Sequence, residues 1–205
     1  MTINVVVDIS HHNGNVDFAK AKASGIVGVI QKATQGQSGF DKTYDKNRKA
    51  ALKEGLLWGA YHFATGSDGV KQADNFLSVA TPDKGTLLVL DFEPNPTGPS
   101  MDLTEAHAFV TCIQQATGRY PGFYSGHYIK QLLGSKQDAL LAKCWLWLAQ
   151  YGKTPVVPPN WPTWTMWQYT DGNLGPLPHD VPGIGDCDRD QFNGDLAQLE
   201  KLWIG

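Results

Sequence analysis

Thr86-Leu87-Leu88-Val89-Leu90-Asp91-Phe92-Glu93-Pro94 is the most apolar run of this chain, and it ends in two acids one residue apart. A short apolar run rich in Leu and Val, stopped by proline, reads as a buried strand. Side chains at i and i+2 on a strand share a face, so Asp91 and Glu93 point the same way. Their Cβ atoms then lie roughly 6–7 Å apart, given a rise of about 3.3 Å per residue. Packing explains such a pair poorly, although two acids at a strand end can simply meet solvent or cap a loop. Two converging carboxyls at that range are the equipment of glycoside hydrolysis, in which one delivers a proton and the other faces an oxocarbenium-like centre as an anion.

Outward from this strand, strand-like and helix-like segments alternate. Strands are expected over 5–9, 26–32, 56–63, 86–92, 123–125, 143–149 and 165–170, with a last short one near Cys187. Helices are expected over 18–24, 44–54, 70–79, 103–117, 128–133 and 195–203, with Gly25 and Gly55 as stops and Asp102 as a cap. The rhythm implies a parallel sheet with crossover helices. Some eight strands in 205 residues is tight for a full barrel of this kind, which takes about 250. A Pro-rich loop over 154–162 replaces a helix late in the chain. The expected fold is therefore α/β: an irregular, shortened TIM-like β/α barrel with few helices in its C-terminal half. A doubly wound open sheet is the alternative, but no Gly-rich phosphate loop follows the first strand. With no repeat or linker, residues 1–205 read as a single barrel domain.

Composition narrows the function classes. Hydrophobic residues make up 41% and charged ones 18%, enough apolar material for a sizeable core. A net charge of −3 with no basic stripe argues against a nucleic-acid partner. Cys112, Cys144 and Cys187 are odd in number and form no CxxC pair, which reads as three buried thiols made in a reducing compartment rather than a zinc or redox site. The N-terminus lacks the basic and apolar regions of a secretory signal. No stretch approaches the roughly 18 apolar residues needed to span a membrane. Seven Trp and seven Tyr are many for this length, and the Trp cluster late, with Trp147 and Trp167 at strand positions. Such rings pack cores, and they also stack on sugars.

In a parallel barrel the chemistry sits at the carboxyl ends of the strands. Asp8 follows Val5-Val6-Val7, Asp91 and Glu93 end the strand over 86–92, and Asp188 lies near the end of the last strand. An Asp after a strand is often only a turn residue; four acids gathered at one rim are another matter. Closure would set Asp8 beside Asp188, with the 91/93 pair across the mouth. Crowded carboxylates repel, so one of them keeps its proton. Glu93, longer and nearer the mouth, suits the donor, and Asp91 the fixed anion. Lys32, Tyr61, Tyr124 and Gln168 also fall at strand ends. His62 reads as a core histidine, and His11-His12 lacks a third metal ligand. No metal and no cofactor is expected.

Val6-Val7-Asp8-Ile9-Ser10, Gln31-Lys32-Ala33-Thr34, Gly59-Ala60-Tyr61-His62-Phe63, Leu90-Asp91-Phe92-Glu93, Trp167-Gln168-Tyr169 and Cys187-Asp188-Arg189-Asp190-Gln191-Phe192 occur in an order and spacing that resemble the glycoside hydrolase family 25 muramidases, the Chalaropsis-type lysozymes of fungi, bacteria and phage endolysins. The resemblance runs from about residue 5 to residue 195. It implies an irregular β/α barrel that hydrolyses the β-1,4 bond between N-acetylmuramic acid and N-acetylglucosamine in peptidoglycan, with retention of configuration. It implies Glu93 as general acid/base and Asp91 as the acid that stabilises the transition state, by direct attack or by orienting the substrate's 2-acetamido group. Asp8 and Asp188 match the two further acids, and Tyr61, Tyr124 and Gln168 the sugar groove, to which Lys32, Trp147 and Trp167 are added as substrate-binding candidates. The family usually carries an acid where this chain has Gln35, which removes one charge near the mouth.

Other readings are a chitinase-like glycosidase on the same scaffold and a catalytically silent glycan-binding domain; a metal hydrolase is the weakest. The expected partner is the glycan strand of bacterial peptidoglycan, reached by a monomer without membrane insertion. Without a visible signal peptide, the protein would be made in the cytoplasm and would act on the wall after release by a holin or a secretion system.

Overall fold

The computed structural model describes residues 1–204. Eleven strands are formed: β1 (Ile3–Ile9), β2 (Gly28–Gln35), β3 (Gly39–Phe40), β4 (Leu57–Phe63), β5 (Thr86–Asp91), β6 (Gly122–Ser125), β7 (Leu146–Ala149), β8 (Met166–Asp171), β9 (Asp180–Val181), β10 (Gly185–Asp186) and β11 (Asp188–Phe192). Six α-helices accompany them: α1 (Phe18–Ala23), α2 (Tyr44–Lys53), α3 (Gly69–Ala80), α4 (Leu103–Thr117), α5 (His127–Leu133) and α6 (Leu196–Ile204). Pairing runs β1-β11-β8-β7-β6-β5-β4-β2, and β1–β2 pairing closes the ring. This is the closed, eight-stranded, helix-poor barrel the alternating pattern implied; β3 is a short flap on β2 and β9–β10 a separate hairpin.

All six residues of β5 are buried: Leu88 and Leu90 belong to the apolar cluster of Phe76, Phe109 and Ile113, while Leu87 and Val89 belong to the cluster inside the barrel. The helices carry their own stops. Asp102 accepts from the Glu105 N–H at 2.8 Å and Glu105 returns a bond to the Asp102 N–H at 2.9 Å, which fixes the start of α4. Gly118, at φ 76°, ends it in the left-handed conformation that glycine adopts without a Cβ clash. Two apolar clusters follow from strand alternation. One lies between sheet and helices, around Phe76, Phe92, Phe109 and Phe123. The other fills the barrel, with Val6, Ile30, Val89, Trp147, Met166 and Phe192, and extends to Leu199 and Trp203 of α6.

One expectation is corrected. The sheet is not wholly parallel: β11 runs antiparallel to both β1 and β8. The segment between β8 and β11 contains the β9–β10 hairpin and no helix. A connection without a crossover helix returns the chain at the rim where it left. The last strand therefore descends through the barrel and delivers α6 to the opposite end. There the Trp203 indole N–H donates to the Trp58 carbonyl at 2.8 Å, and Arg119 donates to the carbonyls of Leu202 and Trp203 at 2.7 and 3.0 Å. A second correction concerns the thiols: Cys144 and Cys187 are buried, whereas Cys112 is partly exposed, and all three are free.

Candidate active site

The rim at which β1, β4 and β5 end, and at which β11 begins, carries a cleft of about 220 Å³. Its lining is Asp8, Tyr61, Phe63, Asp91, Glu93, Tyr124, Trp147, Tyr151, Gln168 and Asp188. Strand β5 ends at Asp91, yet the backbone alternation continues: Phe92 donates its N–H to the Tyr124 carbonyl at 2.8 Å and turns its ring outward against Phe123 and Tyr128. Glu93 thereby faces the cleft with Asp91, as the i, i+2 spacing required. Asp188 reaches the same rim from the other direction. It is the first residue of β11 and stands opposite Asp8 in the register, so the reversed strand brings to the mouth an acid placed by sequence at a strand's end.

The polar groups form one connected set. The Tyr124 and Tyr151 hydroxyls donate to Gln168 Oε1 at 2.7 and 3.0 Å, and Gln168 Nε2 donates to Asp8 Oδ2 at 2.8 Å. Tyr124 also meets the Trp147 ring edge-on, centroids 4.8 Å apart. Below, the Trp147 indole N–H donates to Asp190 Oδ1 at 2.7 Å. Asp91 Oδ1 is buried without a hydrogen-bond partner.

Ionisation is strongly biased. Burial, then the Glu93 charge, pushes the Asp91 carboxyl well above the usual carboxylate range, and the Lys32 ammonium opposes the shift. Burial raises Glu93 as well. Asp8 is raised well above its ordinary value by burial, then by Asp188 and Asp190, against the Gln168 hydrogen bond. Asp188 is pushed up to about 7 by burial, then by Asp171 and Glu93. Both Tyr61 and Tyr124 are raised by burial first and by the neighbouring acids next, which keeps their hydroxyls as donors. The cleft thus holds protons into the neutral range while keeping its acids in mutual contact, the condition in which one carboxyl gives a proton and another bears charge.

Two sequence candidates lie outside the lining. Lys32 stands at the rim, donating to Gln35 Oε1 at 2.7 Å with its ammonium 4.8 Å from the Phe63 ring centre. Trp167 faces the outer layer: its indole donates to the Gln150 carbonyl at 2.7 Å and its ring packs on Trp164 and Tyr169. His62 is buried between Thr34 Oγ1 and Gln72 Oε1, at 2.7 and 3.0 Å, and burial lowers it to about 4, so it is a neutral core histidine. Two residues of the connected polar set are absent from the sequence candidates. Tyr151 lies two residues past β7, in a loop without periodicity. Asp190 follows Asp188 by two, so the alternation applied to residues 91 and 93 would have found it. Among the described residues no group of three His, Cys, Asp or Glu is placed to hold a metal. A larger hollow of about 730 Å³ opens at the other end, between Leu87, Ile113, Arg119, Trp145 and Ile204; it lacks a cluster of perturbed acids.

Known proteins share both sequence and shape with this chain. The family model described as glycosyl hydrolases family 25 matches residues 7–175. Lysozyme M1 of Streptomyces globisporus is 33% identical over 96% of this chain and 70% of its own length. The N,O-diacetylmuramidase of Chalaropsis sp is 29% identical over 97% of this chain and 98% of its own. Among solved structures, a bacterial lysozyme from Streptomyces coelicolor superposes with a TM-score of 0.86 at 33% identity, covering 97% of this chain and 95% of that one. A family GH25 lysozyme from Aspergillus fumigatus gives the same score and identity over the whole of both chains.

Proposed function

The chain belongs to the family 25 glycosyl hydrolases and is a peptidoglycan-cleaving N-acetylmuramidase; from that premise we propose that Glu93 is its general acid/base and Asp91 the acid that stabilises the transition state. The observation that carries this reading is the convergence of Asp91, Glu93, Asp8 and Asp188 on one cleft from β5, β1 and β11. Glu93, half-buried at the mouth, protonates the glycosidic oxygen as the bond to N-acetylmuramic acid breaks. Asp91, deeper and facing the Lys32 charge, opposes the positive charge that develops on the sugar, either by attack or by orienting the 2-acetamido group. In the free cleft, burial and the Glu93 charge hold a proton on Asp91, and burial holds one on Glu93. Lys32 and the developing oxocarbenium charge both favour the Asp91 anion, and this sets the two roles. The resulting carboxylate of Glu93 then activates water.

Asp8 and Asp188 form the opposite wall, and Tyr61, Tyr124, Trp147 and Gln168 line the groove that takes the sugars, with Lys32 at the rim. The protein works as a monomer on glycan strands of the cell wall, and a holin or a secretion system gives it access. Mass spectrometry of digested peptidoglycan tests the reaction: new reducing ends on N-acetylmuramic acid are expected. Ends on N-acetylglucosamine, or preferential cleavage of chitin oligomers, would replace the reading with a chitinase-like one.

A further inference from the structure

Asp190 is the deepest acid of the barrel. Its side chain is fully buried, at 0% exposure. On β11 it lies two residues below Asp188, level with Val6 on β1 and Gln168 on β8. One oxygen accepts the Trp147 indole N–H at 2.7 Å; the other, Oδ2, is buried without a hydrogen-bond partner. Asp8 lies within reach of a side-chain hydrogen bond to it. No cation closes on this carboxyl: the Arg189 guanidinium on the same strand is engaged with the Asp180 carbonyl and Asn4 Oδ1.

A buried carboxylate with an orphan oxygen beside a second carboxylate is costly, and the molecule avoids the cost by keeping a proton there. We propose that Asp190 is a positioning residue: a buried carboxyl beneath Asp8 that shares one proton with it, while its other oxygen accepts from Trp147. It thereby couples two walls of the cleft, since Trp147 packs on Tyr124 and Tyr124 bonds Gln168, which bonds Asp8. With Gln168 above and Asp190 below, Asp8 holds one orientation. The groups facing Asp190 agree with a retained proton. Burial, and then the Asp188 charge, push the Asp190 carboxyl well above the usual carboxylate range against the Trp147 hydrogen bond and Arg189, and the hydrogen bond with Asp8 ties the retained proton to the pair. Tyr169 on β8 and Cys187 beside β11 are both buried and raised, hence uncharged.

This inference rests on Asp8 being a wall of the catalytic cleft, so the experiment separates the two. Asp190→Asn keeps an N–H donor toward Asp8 and a carbonyl for Trp147; Asp190→Val keeps neither. Expected for the Asn variant is kcat/KM within about threefold of wild type, with the alkaline limb of the pH–rate profile moved upward because the amide has no proton to lose. For the Val variant, kcat falls by about 10–100-fold at little changed KM, with a melting temperature that shows it folded. An Asn variant as impaired as Val, or a Val variant with wild-type rates and pH profile, overturns the proposal. Should the Val variant not fold, carboxyl carbon NMR of the unsubstituted protein decides. An aspartic resonance of the Asp8–Asp190 pair that stays protonated above the ordinary carboxylate range, and changes in the Asn variant, supports the proposal; a pair that loses both protons within the ordinary range refutes it. The NMR titration needs no substrate. A muramidase reading that failed through a fully active Glu93→Gln would leave it standing.

Discussion

Gln168 Nε2 donates to Asp8 Oδ2 across 2.8 Å, joining side chains 160 positions apart in the chain. The same amide accepts from two tyrosine hydroxyls through its oxygen. Gln168 is therefore the joint between the first strand, β6 and the loop after β7. Its replacement by Leu leaves Asp8 without its amide donor and two phenols without an acceptor. The expected result is a loss of about 1–3 kcal/mol in stability and a fall in kcat larger than the rise in KM. Denaturant unfolding and steady-state kinetics on soluble glycan fragments measure both.

Glu93→Gln removes the proton donor without changing the shape of the side chain. Hydrolysis should fall by about 10²–10⁴-fold, the usual contribution of a positioned general acid. Burial of the Glu93 carboxyl raises it above its ordinary range, so the uncharged amide is expected to fold at least as stably as wild type. A turbidity assay on cell walls together with a melting curve is sufficient, and near-normal clearing would remove Glu93 from the mechanism.

The pH dependence of stability follows from the direction of the shifts. Asp8, Asp91, Glu93, Asp188 and Asp190 are all raised in the folded state. Above the ordinary carboxylate range the folded protein holds protons that the unfolded chain releases, so stability falls as pH rises through that window. For Asp188 the window closes near 7. Burial also acts to raise Asp41 and Asp138, but the hydrogen bonds they accept, from Thr43 and His11 and from Leu141 and His107, outweigh it and both are lowered; their contribution disappears on further acidification. Maximum stability is thus expected in mildly acidic solution. Asp188→Asn should flatten the decline toward neutrality in urea titrations repeated across pH, and an unchanged slope would show that Asp188 is ionised at little cost.

At the far end, Trp203 is fully buried and hydrogen-bonded to the Trp58 carbonyl. A Cβ on Gly28 would lie 3.1 Å from its ring. Trp203→Ala opens a cavity in the barrel floor, with an expected cost of about 3–5 kcal/mol. Gly28→Val should be destabilising by crowding the same ring. Both effects are expected in the unfolding free energy, with KM little changed because the catalytic cleft is at the other end.

Much of this architecture is carried by local pattern. The apolar run from Thr86 to Leu90, its terminal acids and the rhythm of strand and helix before it depend on periodicity and burial, which neighbouring residues encode. That is why Asp91 and Glu93 fell on one face, and why Asp102 and Gly118 bounded a helix. The same alternation shows why Gln168 and Trp167 cannot both face the cleft: adjacent strand residues point to opposite sides, and Gln168 took the inner one. The direction of β11 was beyond local reading, because it depends on whether a long connection crosses the sheet. That direction, set by tertiary closure, put Asp188 opposite Asp8, sank Asp190 beneath the cleft and sent α6 to seal the floor. The residues supplied the chemistry; the return path of the last strand decided which carboxyls meet.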